Sequence, residues 1–374
     1  SDGTVPTPRQ GKMVARHRFR VWKDLDGHRG MSFVMQQSGG GLPMGRFKEQ
    51  EKERYAVVKL QQQNLFTQAA LAPGMYLSRH RDFCLPQDNA EQNLFLGIRA
   101  DILQYFTNYG IKWHNGQNGK PSNHLCDSQV CCVNFLAPFA SQPDALVTLL
   151  KPIYPDIVEA MPLEEDGCYV AFEWIGQRNY LNEMVRGKSK RTRGANFTSA
   201  DAAARFRQKD GRIRTVLIEW KYTESYGGKD FAKDSSGPTR IAIYKPLYQK
   251  PGCPINQSKI GQFEDLFCEP FYQLMRQQFL AHEMELAKEL DADRVSLLHL
   301  APDANLDFKK VTSPSLQLKY PGKAATEVWA DLVLEPDSFA SRSVEGLFRP
   351  FPIARYPALR GWWDYIKERY PWVI

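Results

Sequence analysis

The chain has 374 residues, of which 43% are hydrophobic and 24% are charged. This composition is typical of a folded globular protein and excludes a disordered or fibrous one, and the length allows one large domain or two to three small ones. Lysine and arginine number 49 against 42 aspartate and glutamate residues, so the net charge is +7. No stretch approaches the roughly 20 apolar residues of a membrane span, and the first 20 residues lack a signal sequence. We therefore expect a cytoplasmic protein without a membrane partner.

The predicted elements change from helices to strands near residue 167. Apolar residues at helical spacing predict helices over 45–65, 90–109, 125–139 and 144–150. The later pattern predicts strands over 167–175, 201–207 and 213–222, a helix over 270–290, a strand over 294–300 and a last helix over 358–369. Residues 226–239, rich in glycine, lysine and aspartate, are expected to form a loop. This order of elements indicates an α/β fold.

The seven cysteines include no Cys-x-x-Cys pair. Because the number is odd and no signal sequence is seen, we interpret them as reduced thiols. Cys126, Cys131 and Cys132 lie near His124, but the helical pattern around them favours core packing over a zinc site.

One apolar strand carries an unexpected pair of charges. Glu219 and Lys221 are two residues apart in the strand over 213–222, so both side chains project from one face. Burying charges without partners costs several kcal/mol, which argues that this pair has a purpose.

The turn before this strand predicts which residue lies opposite Glu219. If Lys209-Asp210-Gly211 is a three-residue loop with Gly211 in the left-handed conformation, Asp201 faces Glu219 with Cβ atoms ~5 Å apart. A two-residue turn would instead place the two carboxylates on opposite faces. The register is therefore a prediction that a structure can test.

Two facing carboxylates repel each other and favour a bound divalent cation. Their hard oxygen ligands suit Mg²⁺ or Mn²⁺. Lys221 beside them could orient a water and stabilise charge that develops on phosphorus. The combination predicts metal-assisted hydrolysis of phosphodiesters.

The basic residues of the chain are concentrated near this hairpin. Residues 186–214 contain ten basic and two acidic residues, and their net charge of +8 exceeds the +7 of the whole chain. Phosphate backbones are the natural partner of such a segment, so we expect a nucleic acid, DNA in the first place. The residues expected to bind it are Lys188, Lys190, Arg191, Arg193, Arg205, Arg207, Tyr222 and Lys229.

The residues Thr198-Ser199-Ala200-Asp201, the hairpin, and Ile218-Glu219-Trp220-Lys221-Tyr222 resemble the PD-(D/E)XK nuclease superfamily, whose fold is restriction-endonuclease-like. Ala200 stands where the motif has proline. The resemblance implies an α/β fold with an αβββαβ core, a mixed central sheet flanked by helices, and helical additions at both ends. On that basis we expect an extension over 1–121, a nuclease core over 122–302 and a second extension over 303–374.

The resemblance also implies roles for individual residues. Asp201 and Glu219 would hold the metal and Lys221 would be the catalytic lysine of a DNA-cleaving enzyme, although some relatives act on RNA or have lost activity. Glu173 is favoured over Glu183 as an additional acidic residue, because it lies inside an apolar strand. On the helix over 270–290 we expect Gln273 to support the site; an exposed helix face is the alternative for this position.

Three functions remain open from the sequence. The leading one is a Mg²⁺-dependent nuclease, for which cleavage of two strands favours a homodimer with two active sites. The second is a catalytically inactive nucleic-acid-binding protein of the same fold. The third is a phosphoesterase that acts on a small substrate, which would not need so large a basic segment.

Overall fold

The computed structural model describes residues 45–61, 64–183, 191–195 and 197–374, and the backbone of two short strands before them. Contacts divide the chain into two units, residues 1–43 and residues 44–374. In the first unit, β1 (Val21–Lys23) pairs antiparallel with β2 (Arg29–Met31).

The second unit contains the elements that position the candidate site. Its strands are β3 (Gly74–Tyr76), β4 (Arg79–Arg81), β5 (Ile157–Met161), β6 (Val170–Trp174), β7 (Ala200–Gln208), β8 (Ile213–Trp220), β9 (Arg294–Ala301) and β10 (Phe339–Ser343). Its α-helices are α1 (Arg46–Gln61), α2 (Leu96–Asn108), α3 (Ser128–Leu136), α4 (Pro143–Leu150), α5 (Gly237–Gln249), α6 (Phe271–Leu286), α7 (Pro314–Lys319), α8 (Ala325–Leu332), α9 (Val344–Phe348) and α10 (Arg360–Arg369).

A mixed sheet of six strands forms the centre of this unit. Along the sheet the order is β10-β9-β8-β7-β5, and β6 also pairs with β7. The pairs among β5, β6, β7 and β8 are antiparallel, whereas β8, β9 and β10 run parallel to one another. Strands β5 and β6 share one edge of β7, β6 pairing near its beginning and β5 near its end.

Alternating side chains of the strands enter two separate hydrophobic clusters. On β8, Val216 and Ile218 pack into a cluster with α2, α3, α4, α9 and α10, whereas Leu217 packs into a cluster with α5, α6 and α8. A strand buried on both faces is therefore apolar at successive positions, as the sequence of β8 shows. The predicted α/β class, with a mixed central sheet flanked by helices, is confirmed. The predicted division at residues 121 and 302 stays a prediction.

Several predicted elements are confirmed at the level of local chemistry. Helix α3 begins at Ser128 because the carboxylate of Asp127 accepts a hydrogen bond from the amide of Val130 at 2.9 Å, which caps the first turn. In the hairpin, Gly211 has a φ of +85°, a left-handed conformation that favours glycine. The turn has the predicted length, and the resulting register pairs Ala202 with Ile218.

Several elements were not predicted, and three of them, β5, β10 and α5, show how a weak sequence pattern hides an element. Strand β5 has only five residues and no strict alternation of buried and exposed positions. Strand β10 is partly exposed along most of its length. Helix α5 contains Pro246 and buries only Gly237 and Tyr244, so its apolar face is too narrow to be recognised by periodicity.

A buried polar network joins α1 to the end of β8. The hydroxyl of Tyr222, two residues after the strand ends, donates to the carboxylate of Glu51 and lies 3.0 Å from the hydroxyl of Tyr55. The guanidinium of Arg369, fully buried, lies 4.2 Å from the centre of the Tyr55 ring and donates to Oδ1 of Asn93 at 2.6 Å. These contacts fix the chain directly after Lys221 against two distant segments.

All seven cysteines lie in the part of the chain that the structure describes, and none forms a disulfide. Six of them are buried, in agreement with the interpretation as reduced core residues. Cys131 and Cys132 lie on α3 in the cluster that packs against the sheet.

Within the described ranges, no single helix is both long and apolar enough to cross a membrane. Two shorter segments, Ser128–Phe139 and Pro143–Leu150, meet the length and composition only when taken together, and they are bent by 119°.

Candidate active site

The strand registers bring four polar residues to neighbouring positions across the sheet: Glu219 pairs with His299, and continuing the pairs of the adjoining strands places Asp201 opposite Glu219 and Glu173 opposite Asp201. This row consists of Glu173 on β6, Asp201 on β7, Glu219 on β8 and His299 on β9. The position of Asp201 opposite Glu219 is the register predicted from the three-residue turn. Burial lowers the pKa of His299 to about 3, and the Lys221 ammonium acts in the same direction, so this imidazole is neutral.

Glu219 and Lys221 form a buried ion pair on the face of β8 that packs against α6. Their residues are 1% and 7% exposed, and Nζ of Lys221 contacts Oε1 of Glu219. Nζ also donates to Oε1 of Gln273 at 2.8 Å, so the structure places the predicted Gln273 in contact with the predicted lysine. A buried pair of this kind is retained only where its remaining hydrogen-bonding groups are satisfied.

Gln277 is a member of this site that the sequence did not single out. Its Nε2 donates to Oε2 of Glu219 and to the backbone oxygen of Ser199, the latter at 3.0 Å. The available signal was its position four residues after Gln273, which places both amides on one face of α6. That spacing could not show which of the two side chains contacts the carboxylate.

Asp201 lies beside this ion pair but has a different hydrogen-bond partner. Its Oδ2 accepts a hydrogen bond from the amide of Trp220 at 2.7 Å. Burial, followed by repulsion from Glu219, raises the pKa of Asp201 well above its ordinary value. Two neighbouring carboxylates, of which one is paired with an ammonium, leave an excess of negative charge, the condition that favours a cation.

The charge state of Lys221 follows from its neighbours. Burial acts to lower the pKa of this ammonium, but attraction from Glu219 and the other acidic neighbours raises it well above its ordinary value. Lys221 therefore carries its proton throughout the physiological range. In this arrangement it can donate hydrogen bonds but cannot serve as a base.

Glu173 occupies a strained position in the row. Its φ is +51°, a left-handed conformation inside a strand that costs a side-chain-bearing residue ~1–2 kcal/mol. Three groups hold its carboxylate: Nε2 of Gln129 at 2.7 Å, the hydroxyl of Ser199 at 2.8 Å, and Nε2 of His114 at 3.5 Å. Burial raises the pKa of Glu173, whereas these neighbours oppose the rise. Strain of this kind clusters at functional sites.

Glu183, the other candidate for an additional acid, belongs to a different group of contacts. Its carboxylate accepts hydrogen bonds from the amide of Thr198 at 2.7 Å and from the hydroxyl of Tyr244 at 2.6 Å. Arg276 donates to the hydroxyl of the same Thr198 at 2.9 Å. Glu183 therefore braces the segment that leads into β7.

A further carboxylate, Glu269, was also missed by sequence reasoning. It precedes α6 and accepts a hydrogen bond from the amide of Gln273 at 3.3 Å. Burial raises its pKa, while the charges of Lys221 and Arg276 act to lower it. Its proximity to Lys221 depends on how α6 packs on the sheet, which no local pattern reveals.

The basic residues predicted to bind nucleic acid are mostly engaged within the protein. Lys188 and Lys190 lie outside the described residues. Arg193 donates to Glu164 at 2.6 Å and to the hydroxyl of Tyr105 at 2.8 Å, and Arg191 donates to backbone oxygens at 175 and 176. Charge counting over 186–214 did not include the acidic partners, because they come from other parts of the chain.

The hairpin arginines lie toward the turn, at a distance from the carboxylates. Arg207 pairs with Glu159 at 2.9 Å, and Arg205 lies 3.6 Å from Asp291. At ~3.4 Å per residue, they are ~13 Å and ~20 Å along β7 from Asp201, Arg205 being the nearer.

The two remaining candidates have opposite environments. Tyr222 is fully buried in the network with α1, so its ring is not accessible to a ligand in this arrangement. Lys229 is exposed in the loop after β8, where it lies 3.5 Å from Asp234. The structure therefore places only Lys229 of this pair at the surface.

The donor chemistry of the site suits a hard divalent ion. In the described part of the chain, no group of three or more His, Cys, Asp and Glu side chains is arranged to hold a metal. Mg²⁺ commonly takes one or two carboxylates and completes its octahedron with waters and substrate oxygens. Asp201 and Glu219 fit that donor set, although both oxygens of Glu219 are engaged by Lys221 and Gln277 in this arrangement.

The helix-flanked mixed sheet, with two carboxylates and a lysine on adjacent strands, resembles restriction-endonuclease-like proteins. Residues 36–371 match the family described as Restriction Endonuclease associating with ARP, and the chain belongs to this family. Neither the comparison with curated proteins nor that with solved structures gives a match. The family supports a nuclease-type function and names no catalytic residue.

Proposed function

We propose that the chain is a PD-(D/E)XK nuclease with an αβββαβ core that hydrolyses phosphodiester bonds in DNA. The observation that carries the proposal is the buried ion pair of Glu219 and Lys221 with the partly buried Asp201 opposite Glu219, in a chain of a restriction-endonuclease family. Asp201 and Glu219 would hold Mg²⁺ or Mn²⁺. When bound, the ion would supply Lewis-acid stabilisation and a water of lowered pKa.

The protein's own groups then have defined tasks. In the reaction, the oxygen of a water molecule bonds to phosphorus and one ester P–O bond breaks, leaving a phosphomonoester and a hydroxyl end. Lys221, held as an ammonium by Glu219, donates to an oxygen on which negative charge develops. Gln273 and Gln277 hold the lysine and the carboxylate in position, and Glu173 adds a third carboxylate to the row.

The proposal extends to the partners of the chain. Lys188, Lys190, Arg191, Arg193, Arg205, Arg207, Tyr222 and Lys229 are the proposed nucleic-acid-binding residues, although Tyr222 would need to leave the core. The family description names ARP as an associate, and we propose the same association for this chain. Cleavage of both DNA strands would be served by a homodimer, which light scattering would detect.

Cleavage assays with labelled circular, linear and single-stranded DNA test the proposal. We expect cleavage with Mg²⁺ or Mn²⁺, none with EDTA, and a loss of about 10²–10⁴-fold in Lys221→Ala. Lys209→Ala removes an exposed ammonium from the turn of the same hairpin and should leave cleavage unchanged. If the wild-type protein binds DNA without cutting it, the inactive binding protein replaces the nuclease. If DNA is neither bound nor cut, a smaller phosphoester becomes the better substrate.

A further inference from the structure

Tyr226 lies against Lys221 of the candidate site, in the loop after β8. Nζ of Lys221 is 6.0 Å from the centre of its ring, and the ring of Phe308 packs edge-on at a centroid distance of 5.4 Å. These two contacts fix the ring between the lysine of the site and an apolar neighbour.

The hydroxyl of Tyr226 is buried and has no hydrogen-bond partner among the residues that the structure describes. Most buried hydroxyls are paired, because a buried hydroxyl without a partner destabilises the folded state. Burial raises the pKa of this phenol, the Lys221 ammonium opposes the rise, and the carboxylates of Glu269 and Glu219 add to it. The hydroxyl is therefore a protonated donor that lies among the charged groups of the site.

We propose that Tyr226 is a further catalytic residue, whose hydroxyl donates a hydrogen bond to a non-bridging oxygen of the phosphodiester. This inference rests on the proposed function. A phosphate oxygen only accepts hydrogen bonds, so it matches a donor that the protein itself leaves unpaired. Gly227 and Gly228 follow directly, and a Cβ at either position would meet nothing within 4 Å, so no neighbouring atom restrains the chain next to Tyr226 at these two residues.

The substitution Tyr226→Phe tests the proposal because it removes only the unpaired oxygen. Stability should remain unchanged or rise slightly, since no hydrogen bond in the protein is lost. Cleavage with Mg²⁺ should fall about ten-fold. The matched control is Tyr154→Phe, which removes another buried, unpaired hydroxyl from a ring that packs on Arg214 at the turn end of β8. The control should match the test variant in stability and the wild-type protein in cleavage.

Binding of a short DNA duplex in EDTA gives a second measurement that does not depend on turnover. We expect Tyr226→Phe to bind roughly three- to ten-fold more weakly than the wild-type protein or Tyr154→Phe. Equal cleavage and equal binding in all three proteins would overturn the inference. A joint loss of stability and cleavage in Tyr226→Phe would also overturn it, because the residue would then be structural.

The two proposals fail in different ways. If the wild-type protein does not cut DNA but Tyr226→Phe alone weakens binding, the nuclease proposal falls and the contact between Tyr226 and the phosphodiester stands. If the wild-type protein cuts DNA and Tyr226→Phe cuts and binds it equally well, the nuclease stands without Tyr226.

Discussion

The two ends of the β7–β8 hairpin differ in the exposure of their ion pairs, which are exposed at the turn and buried at the open end. At the turn, Arg207 pairs with Glu159 and Arg212 with Asp210, and all four side chains are 43–63% exposed. At the open end, Glu219 and Lys221 are buried next to Asp201. Exposed pairs contribute little to stability, whereas buried charges that are not fully matched are costly and shift pKa values. The open end therefore has the properties of a functional site, and the more basic turn has those of a solvated surface.

The largest difference between the two ends should appear when one charge is removed from each. Lys221→Met leaves the buried carboxylate of Glu219 without its ammonium and next to Asp201, so we expect the free energy of unfolding to fall by about 3 kcal/mol. Lys209→Met removes an exposed ammonium 3.6 Å from Asp156 and should change it by less than about 0.5 kcal/mol. Urea unfolding in EDTA measures both.

A second substitution shows whether the loss comes from uncompensated charge. In Glu219→Gln/Lys221→Met, one of the two carboxylates is neutral, so about 1–2 kcal/mol of the loss should be recovered. No recovery would mean that Lys221 contributes mainly by packing.

Removing the charge of Asp201 should have the opposite effect and increase the free energy of unfolding. Because burial, and then repulsion from Glu219, raise its pKa above the ordinary 3.8, the folded protein binds more protons than the unfolded chain between the two values. The free energy of unfolding then rises as the pH falls through the raised pKa. Asp201→Asn should therefore stabilise the protein by about 1 kcal/mol above that pKa and by less below it.

Asp156→Asn is the matched control for this prediction, because Asp156 is exposed beside the turn. It should change stability little, because exposed ion pairs contribute little. A gain in Asp201→Asn that is the same at every pH would show that the charge of Asp201 is not its source.

The smallest effect is expected at the turn. Arg207→Gln should change the free energy of unfolding by less than about 1 kcal/mol and leave the cleavage rate at saturating DNA within two-fold. If Arg207 contacts a phosphate, DNA affinity should fall and its salt dependence should decrease by about one ion, with Arg207→Lys restoring both. A ten-fold loss of cleavage rate would instead place Arg207 in the site.

The hairpin could be predicted from sequence because its information is local. Gly211 sets the turn length, the turn length sets the register, and the register places Asp201 opposite Glu219. The backbone conformation of Glu173 could not be predicted, because its left-handed φ is maintained by Gln129 and Ser199 from other elements.

The net charge around the site could not be predicted from the sequence either, because it depends on residues from other elements. The formal charges of residues 186–214 sum to +8. However, the arginines of this segment pair with acidic residues from outside it: Glu159 and Glu164 earlier in the chain, and Asp291 and Asp337 later in the chain. The net charge of a segment predicts a binding surface only where the acidic partners of its basic residues belong to the same segment and are therefore counted. Strand β5, which carries Glu159, was itself too short to be recognised.

Because of the buried network between α1 and Arg369, the packing around the site depends on a residue that the ribosome synthesises late. Arg369 packs on Tyr55, and the hydroxyl of Tyr55 reaches that of Tyr222 beside Lys221. Strand β8 therefore cannot complete its packing until residue 369 has been synthesised and has left the ribosome. We expect nascent chains that stop short of this residue to hold Lys221 loosely, which under the proposed function would leave a growing polypeptide unable to cut DNA.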